Sequence, residues 1–207
     1  MSLSSDLEKK NVGAERIAER VMKDQKLLSE VFQGISSDKA RVKYGNAKVL
    51  RIIGERNPQV LYPKWDFFAD MLDSSNTFLK CDGVFIIGHL TRVDSENKIA
   101  RLFEKLYKLL NDESMITAAS LIGVSAIIAK AKPELQTRIT DALLSINQTH
   151  HGSECKNVLK GHIISTLDTY FMDLKEREKA LDFIRVELRN SRPATKKKAE
   201  KFMKKWG

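Results

Sequence analysis

Apolar side chains recur along most of the chain at the spacing of one face of an α-helix, and strand-like alternation is nearly absent. In residues 97–110, apolar positions fall three or four apart, and charged residues fill the opposite side. This pattern is typical of a half-buried amphipathic helix. First helices are predicted at about 15–33, 59–73, 97–110, 134–148 and 175–190, and second helices at about 38–55, 76–93, 113–131, 153–172 and 193–206.

A degenerate motif recurs about every 37 residues within the predicted second helices. Its copies start at Val42, Leu79 and Ile116, a fourth begins near Leu159, and a weaker fifth begins near Thr195. A fixed period of this length indicates stacked supersecondary units, each of which needs its neighbours to cover its apolar surface. The sequence therefore predicts an all-α array of two-helix repeats.

The boundaries of these helices carry their own signals. Small polar residues that favour N-caps precede the second helices, and prolines stand where helices are expected to begin. The cap residues are Ser37-Asp38, Ser74-Ser75, Asp112 and Ser153, and the prolines are Pro58, Pro133 and Pro193. Small residues at Gly45, Gly83, Ser120 and Gly161 are expected to let neighbouring helices approach closely.

The motif resembles the second helix of HEAT-like, armadillo-type repeats, with Val42-Lys43 followed by Gly54 and Leu79-Lys80 followed by Gly88. The third copy has Thr117 in place of the usual basic residue. The resemblance implies a right-handed α-solenoid of about five repeats whose second helices line a concave face. It implies a flexible N-terminus at 1–14 and a single domain at 15–207, with repeats at about 15–56, 57–93, 94–132, 133–172 and 173–207.

The side of the second helices opposite the predicted core is the candidate partner-binding face. It carries Asp82, Phe85, His89 and Arg92 in the second repeat, Ala119, Ile122 and Ala126 in the third, and His162, Ser165 and Thr169 in the fourth. Phe85 and Ile122 would form an apolar floor, and an exposed apolar strip marks a partner site. The alternative is that strong curvature closes this strip into more core.

The net charge of +9 is concentrated at the C-terminal end of the chain. Seven basic residues and one acidic residue give the segment 192–207 a charge of +6. Its apolar stripe at Ala199, Phe202, Met203 and Trp206 predicts a capping helix, as terminal repeats require. The alternative is a phosphate-binding patch for nucleic acid, formed by Lys196, Lys197, Lys198, Lys201, Lys204 and Lys205.

The sequence contains no recognisable catalytic constellation, and no cofactor is expected. His151 and Cys155 are four residues apart, but a structural zinc site needs four ligands, and Gly152 places His151 in a surface turn. Trp65-Asp66 resembles the tryptophan and aspartate of HEAT-like alkylpurine DNA glycosylases, although Trp65 also continues the apolar stripe of its helix.

These observations predict a non-catalytic scaffold that binds another protein or a peptide segment on the concave face. Nucleic-acid binding through the lysine-rich helix is the alternative, and a base-excision enzyme is a remote one. Two distant cysteines, Cys81 and Cys155, make no disulfide framework, and no signal or membrane segment is visible, so we expect a cytoplasmic protein. Oligomeric state leaves no signal in the sequence.

Overall fold

The computed structural model describes residues 13–207, where all regular structure is helical and no strand occurs. The all-α prediction is therefore confirmed. The predicted flexible segment at 1–14 lies almost wholly outside the described residues. Within residues 13–207, no helix is both long enough and apolar enough to cross a bilayer.

The chain divides into two compact units, one ending at Ser95 and the other running from Glu96 to Gly207. The helices of the first unit are α1 (Ala14–Lys23), α2 (Leu28–Ile35), α3 (Ala40–Arg56), α4 (Pro58–Leu61), α5 (Trp65–Met71) and α6 (Thr77–Leu90). Helices α3 and α6 are the second helices of their repeats and pack against each other. Helices α1 and α2 cover α3, and α5 covers α6. The single domain at 15–207 stays a prediction.

The core of the first unit lies between these layers. Leu50 and Ile53 of α3, Phe68 of α5, and Ile86 and Ile87 of α6 are completely buried. Burying a large apolar side chain of this kind contributes roughly 1.5–3 kcal/mol. Helix α6 packs against α3 and against α5, which explains its near-continuous run of apolar residues.

The second unit repeats the same arrangement. Its helices are α7 (Lys98–Tyr107), α8 (Met115–Ala131), α9 (Gln136–Leu144), α10 (Ser153–Tyr170), α11 (Arg177–Glu187) and α12 (Pro193–Trp206). The second helices pack in the order α8, α10, α12. Leu121 of α8, Ile163 and Leu167 of α10, and Ala199 of α12 are completely buried along these contacts.

The first predicted helix, at 15–33, is wrong in one respect because the structure divides it into α1 and α2. Asp24 adopts an extended backbone conformation, and its carboxylate accepts a hydrogen bond from the Lys26 N–H at 3.1 Å. A short polar side chain that satisfies a nearby backbone donor competes with the helical hydrogen bond. A 3₁₀ turn at Gln25–Leu27 then leads into α2.

The predicted N-caps also need correction, because most of the predicted polar residues stand two positions before the N-cap and accept a hydrogen bond from its N–H. Second helices α3, α6 and α8 begin after Lys39, Asn76 and Ser114. The side-chain oxygen two residues earlier accepts the N–H of that N-cap, as in Asx and Ser/Thr turns. The same turn precedes α12, so the acceptors are Ser37, Ser74, Asp112 and Asn190. Ser153 is the first residue of α10, and Gly152 precedes it.

Close helix contacts occur at three of the glycines. A Cβ at Gly83 would lie 2.8 Å from the Cβ of Met71, and one at Gly161 would lie 2.8 Å from the Thr195 hydroxyl. At Gly34 it would lie 2.0 Å from the side-chain nitrogen of Asn46. Gly83 and Gly161 therefore have the packing role that the sequence predicts for them.

In the third repeat, the buried positions of the second helix lie one residue later in the chain than the sequence motif predicts. Ile116, the predicted first apolar position, is 55% exposed, whereas Thr117 is completely buried. Thr117 lies five residues after the turn residue Asp112, as Val42 lies five after Ser37. A shift of one residue rotates a helical position by about 100°, which changes the residues that face outward.

The contact between Gly34 and Asn46 generates a stability prediction. Gly34→Ala should lower the free energy of unfolding by about 1–3 kcal/mol, the usual cost of overpacking a rigid site. The Asn46 side chain cannot move aside freely, because it is completely buried and donates to the Val42 carbonyl at 2.8 Å. Urea unfolding measures the change.

The double variant is the control for this prediction. Asn46→Ala removes the clashing atoms together with a buried side-chain oxygen that has no hydrogen-bond partner. Gly34→Ala should therefore cost much less in the Asn46→Ala background than in the native chain. Equal costs in the two backgrounds would contradict the proposed contact.

Candidate partner-binding faces

The four residues predicted on the outward side of α6 do lie together, and they meet Arg51 of α3. The Arg51 guanidinium lies 3.2 Å from the Asp82 carboxylate and 4.2 Å from the centre of the Phe85 ring. The Phe85 and His89 rings are 4.5 Å apart, and Arg92 continues the row 3.3 Å from His89. Cation–π and charged hydrogen bonds link these groups. The surface that they form is provided by Arg51, Phe85 and Arg92, because Asp82 and His89 are buried.

The contact with Arg92 defines the protonation of His89. A guanidinium only donates, so the 3.3 Å contact from Arg92 Nη1 makes His89 Nδ1 the acceptor. The pKa of His89 is held below its usual range by burial and by the charges of Arg92 and Arg51, while Glu55 opposes the shift. His89 is therefore neutral at physiological pH, with its proton on Nε2.

Asp82 is a buried carboxylate beneath this surface, 8% exposed. Burial raises its pKa, and the charge of Arg51 and its hydrogen bond act in the opposite direction. Together Asp82 and Phe85 hold the half-exposed Arg51 side chain across α3 and α6. Asp82 thus positions Arg51 and is itself hidden from a partner.

Two aromatic residues at one end of this surface escaped the sequence analysis. Phe78 is 65% exposed and packs edge-on against Tyr44, which is 38% exposed, at a ring distance of 5.8 Å. Asn76 donates to the Tyr44 hydroxyl at 2.9 Å. Phe78 precedes Phe85 by seven residues, so two helical turns place both on one side of α6. That spacing is the sequence signal for Phe78.

We call this surface of the first unit the aromatic face and define it by Tyr44, Arg51, Phe78, Phe85 and Arg92. Phe78 and Arg92 are fourteen residues apart, which corresponds to about 21 Å at 1.5 Å per residue. Its chemistry is aromatic and arginine-rich, a composition enriched at the centres of protein interfaces. That Phe85 and Arg92 bind a partner stays a prediction, whereas Asp82 and His89, also predicted there, are buried and offer a partner little surface.

In the second unit, the predicted apolar floor at Ile122 is wrong. Ile122 is completely buried, and its carbonyl accepts a hydrogen bond from Thr166 of α10 at 2.9 Å. The one-residue register shift puts Gly123 outward in its place, and a Cβ at Gly123 would meet nothing within 4 Å. His162 and Thr169 of α10 are exposed, as predicted.

Helix α12 packs on α10 through the predicted apolar stripe. Ala199 and Phe202 are buried, and Met203 and Trp206 are half-buried. The Phe202 and Trp206 rings lie 4.9 and 5.5 Å from that of Phe171. The amphipathic packing expected of a capping helix is therefore present in the second unit.

The lysines of α12 occupy its solvent side. All six are exposed, and two of them also reach α10. Lys198 Nζ donates to the Gly161 carbonyl at 2.8 Å, while Lys205 Nζ lies 2.8 Å from the Asp168 carboxylate. Trp206 Nε1 donates to the same carboxylate at 2.6 Å. Although burial acts to raise it, the pKa of Asp168 is lowered overall by these two hydrogen bonds and by the charges of Lys205 and Lys201.

The pKa of His162, on α10, is sensitive to the positive charge of this surface. Its pKa is lowered by burial and by the positive charges of Lys198 and Arg192. We call the surface formed by His162, Lys197, Lys198, Lys201, Lys204 and Lys205 the lysine face. Its lysines cover an arc of about 120° of α12, as the helical repeat places them.

No protein-family model matches the sequence, and no curated protein matches it. A solved designed armadillo repeat protein matches 99% of this chain and 92% of its own at 15% identity, with a TM-score of 0.60. A second match, an engineered protein, covers 97% and 94% at 12% identity, with a TM-score of 0.56. The fold is an armadillo/HEAT-like helical repeat.

This repeat protein uses Trp65 as a core residue. Trp65 is 3% exposed and packs edge-on against Tyr62 at a ring distance of 5.9 Å, whereas Asp66 is exposed. A base-excision site would need both groups in a pocket on the outward face. The burial of Trp65 therefore removes the glycosylase hypothesis.

The turn at His150-His151 differs from the predicted surface turn. His151 is buried, 6% exposed, and its Nε2 lies 3.0 Å from the Leu110 carbonyl. His150 is exposed and contacts Asn111 through its backbone N–H and its ring, both at 2.7 Å. These histidines tie the longer turn of the fourth repeat to the preceding one. Across residues 13–207, no three His, Cys, Asp or Glu side chains are grouped as metal ligands would be.

The electrostatic environment of His162 can be measured directly. Lys198→Gln should raise the pKa of His162, because it removes a positive charge that disfavours the imidazolium. Histidine ring shifts followed by NMR across pH 5–8 provide the measurement. Lys196→Gln, a control on the other flank of α12, should leave the pKa of His162 nearly unchanged. An equal rise in both variants would contradict the assigned contact.

The two depressed histidine pKa values also predict how stability depends on pH. Because the folded state of each binds its proton less tightly than the unfolded state, stability is lost as pH falls below the unfolded pKa of about 6.5. Urea unfolding at pH 7.5 and 5.5 should show a smaller pH-dependent loss for His89→Gln than for the native chain. An unchanged or larger loss in the variant would be inconsistent with a depressed pKa at His89.

Proposed function

We propose that this chain is a non-catalytic scaffold that binds a segment of another protein along the aromatic face. Helical repeat folds present extended surfaces of this kind and serve generally as protein-binding scaffolds. The observation that carries the proposal is the exposed pair Tyr44–Phe78, which lies two helical turns along α3 and α6 from the Arg51–Phe85 stack. When a partner covers exposed aromatic rings, the burial of their apolar surface stabilises the complex.

The geometry favours an extended or helical segment over a compact ligand. The aromatic face is a strip about 21 Å long at the helical rise, with aromatic groups at one end and Arg92 at the other. Arg92 is exposed and held by the Glu55 carbonyl at 2.8 Å. A segment lying along this strip could place apolar side chains near Phe78 and an acceptor near Arg92.

The proposal is tested by selecting binders from a displayed library of random 16-residue peptides and measuring their affinity by calorimetry. Phe78→Ala and Phe85→Ala should each weaken the selected peptides by about tenfold or more, the effect expected for aromatic residues central to an interface. Both side chains are exposed or half-exposed, so circular dichroism should show an intact fold.

Phe67→Ala is the matched control for this experiment. Phe67 is also an exposed phenylalanine, 36% exposed, but it lies on α5 and contacts Phe32 in a separate groove. Its truncation should leave affinity within about twofold, as for residues outside a binding hot spot. Selection of no binders, or of binders sensitive only to Phe67→Ala, would overturn the proposal.

A further inference from the structure

The lysine face offers a dense row of positive charge with few internal partners. Lys197, Lys201 and Lys204 are exposed, and none makes a hydrogen bond or ion pair with the described part of the chain. Lys197 and Lys205 are separated by eight helical positions, about 12 Å at 1.5 Å per residue. Five lysines share that length, so the face has an unusually high charge density.

Two contacts hold this row in place against α10. Lys198 is tied to the Gly161 carbonyl, and Lys205 is tied to Asp168, both at 2.8 Å. Asp168 is already shared between Lys205 and Trp206, so it neutralises only part of the charge. Lys198 and Lys205 are therefore pre-positioned, which lowers the entropic cost of binding an anion, and the row remains positive overall.

The α10 surface beside the row adds little directional recognition. Ser165 and Thr169 are exposed, but their hydroxyls donate to the Gly161 and Thr166 carbonyls of their own helix. In the same unit, Gly123 of α8 leaves open space where a side chain would stand. What these elements offer a ligand is mainly charge.

We infer that the lysine face binds an acidic segment of a partner protein in an extended conformation. The inference goes beyond the proposed function, because it assigns a second binding surface, with a different ligand chemistry, to the second unit. An extended chain advances about 3.3 Å per residue, so a run of roughly four residues spans the row. Several aspartates or glutamates in such a run would each meet a lysine, and the affinity would fall as salt screens the charges.

The face lacks the groups that single-stranded nucleic acid needs beyond charge. Arginine, whose planar fork matches carboxylate and phosphate alike, is absent from α12, so its lysines offer only hydrated point charges to either anion. Single-stranded nucleic acid also needs aromatic rings on which bases stack. Trp206 does not supply one freely, because it is half-buried against Phe171 and hydrogen-bonded to Asp168.

The test is fluorescence anisotropy with a labelled peptide of eight consecutive glutamates at several salt concentrations. A peptide of eight glutamines is the uncharged control, and a nine-nucleotide oligothymidylate is the nucleic-acid probe. The glutamate peptide should bind best, and its affinity should fall as salt rises. Lys201→Glu/Lys204→Glu should weaken it by about tenfold, a factor that two reversed surface charges can supply.

Lys108→Glu/Lys130→Glu carries the same change in net charge on exposed lysines of the third repeat, separated from α12 by α10, and is the matched control. It should alter affinity less than about twofold, because exposed charges beyond a Debye length are largely screened. If both double variants lost the same affinity for the glutamate peptide, the net charge of the protein would explain binding, and the inference would be overturned. Tighter binding of the oligothymidylate, lost in Lys201→Glu/Lys204→Glu, would assign the face to nucleic acid instead.

The aromatic-face variant Phe85→Ala separates this inference from the proposed function. It should leave binding of the glutamate peptide unchanged, because Phe85 is not part of the lysine face. If the glutamate peptide fails to bind while library peptides bind at the aromatic face, only the lysine-face inference fails. If the glutamate peptide binds and no library peptide does, the aromatic-face proposal fails and the lysine face stands.

Discussion

Side-by-side packing of the second helices is the constraint on which each unit depends. Helices α3 and α6 pack side by side in the first unit, as do α8, α10 and α12 in the second, and each unit's first helices cover them. Gly83 lets α6 approach Met71 of α5 closely, and Gly161 lets α10 approach Thr195 of α12. Outward residues such as Phe85 and Lys201 are not part of this core, so they can vary in chemistry without loss of the core.

The two faces described here illustrate that freedom. On the aromatic face, Arg51 is held between Asp82 and Phe85, and on the lysine face, Lys205 is held by Asp168. In both, one carboxylate on a neighbouring second helix positions a cation at the surface. In both, nearby cations help to keep a histidine neutral, His89 in the first unit and His162 in the second. The packing of neighbouring second helices therefore also fixes the positions of Arg51 and Lys205.

Helix α12 combines a side that packs in the core with a side of exposed lysines. Its buried side fills the space beside Phe171, where Phe202 and Trp206 pack. Its solvent side carries six exposed lysines. The same lysines are available to an anionic partner, because the residues that anchor the helix lie mostly on its other side.

Periodicity in the sequence was sufficient to determine the two-helix repeats, the apolar stripe of α12 and the common side of Asp82, Phe85, His89 and Arg92. These features depend on the 3.6-residue turn, which any helix obeys. Tertiary structure decided the register of the third repeat, and with it the burial of Ile122 and the exposure of Gly123. It also decided the burial of Trp65 and His151 and the exposure of Phe78. Burial is a property of the neighbouring helices, and a degenerate motif does not resolve the one-residue shift that separates a core position from a surface position.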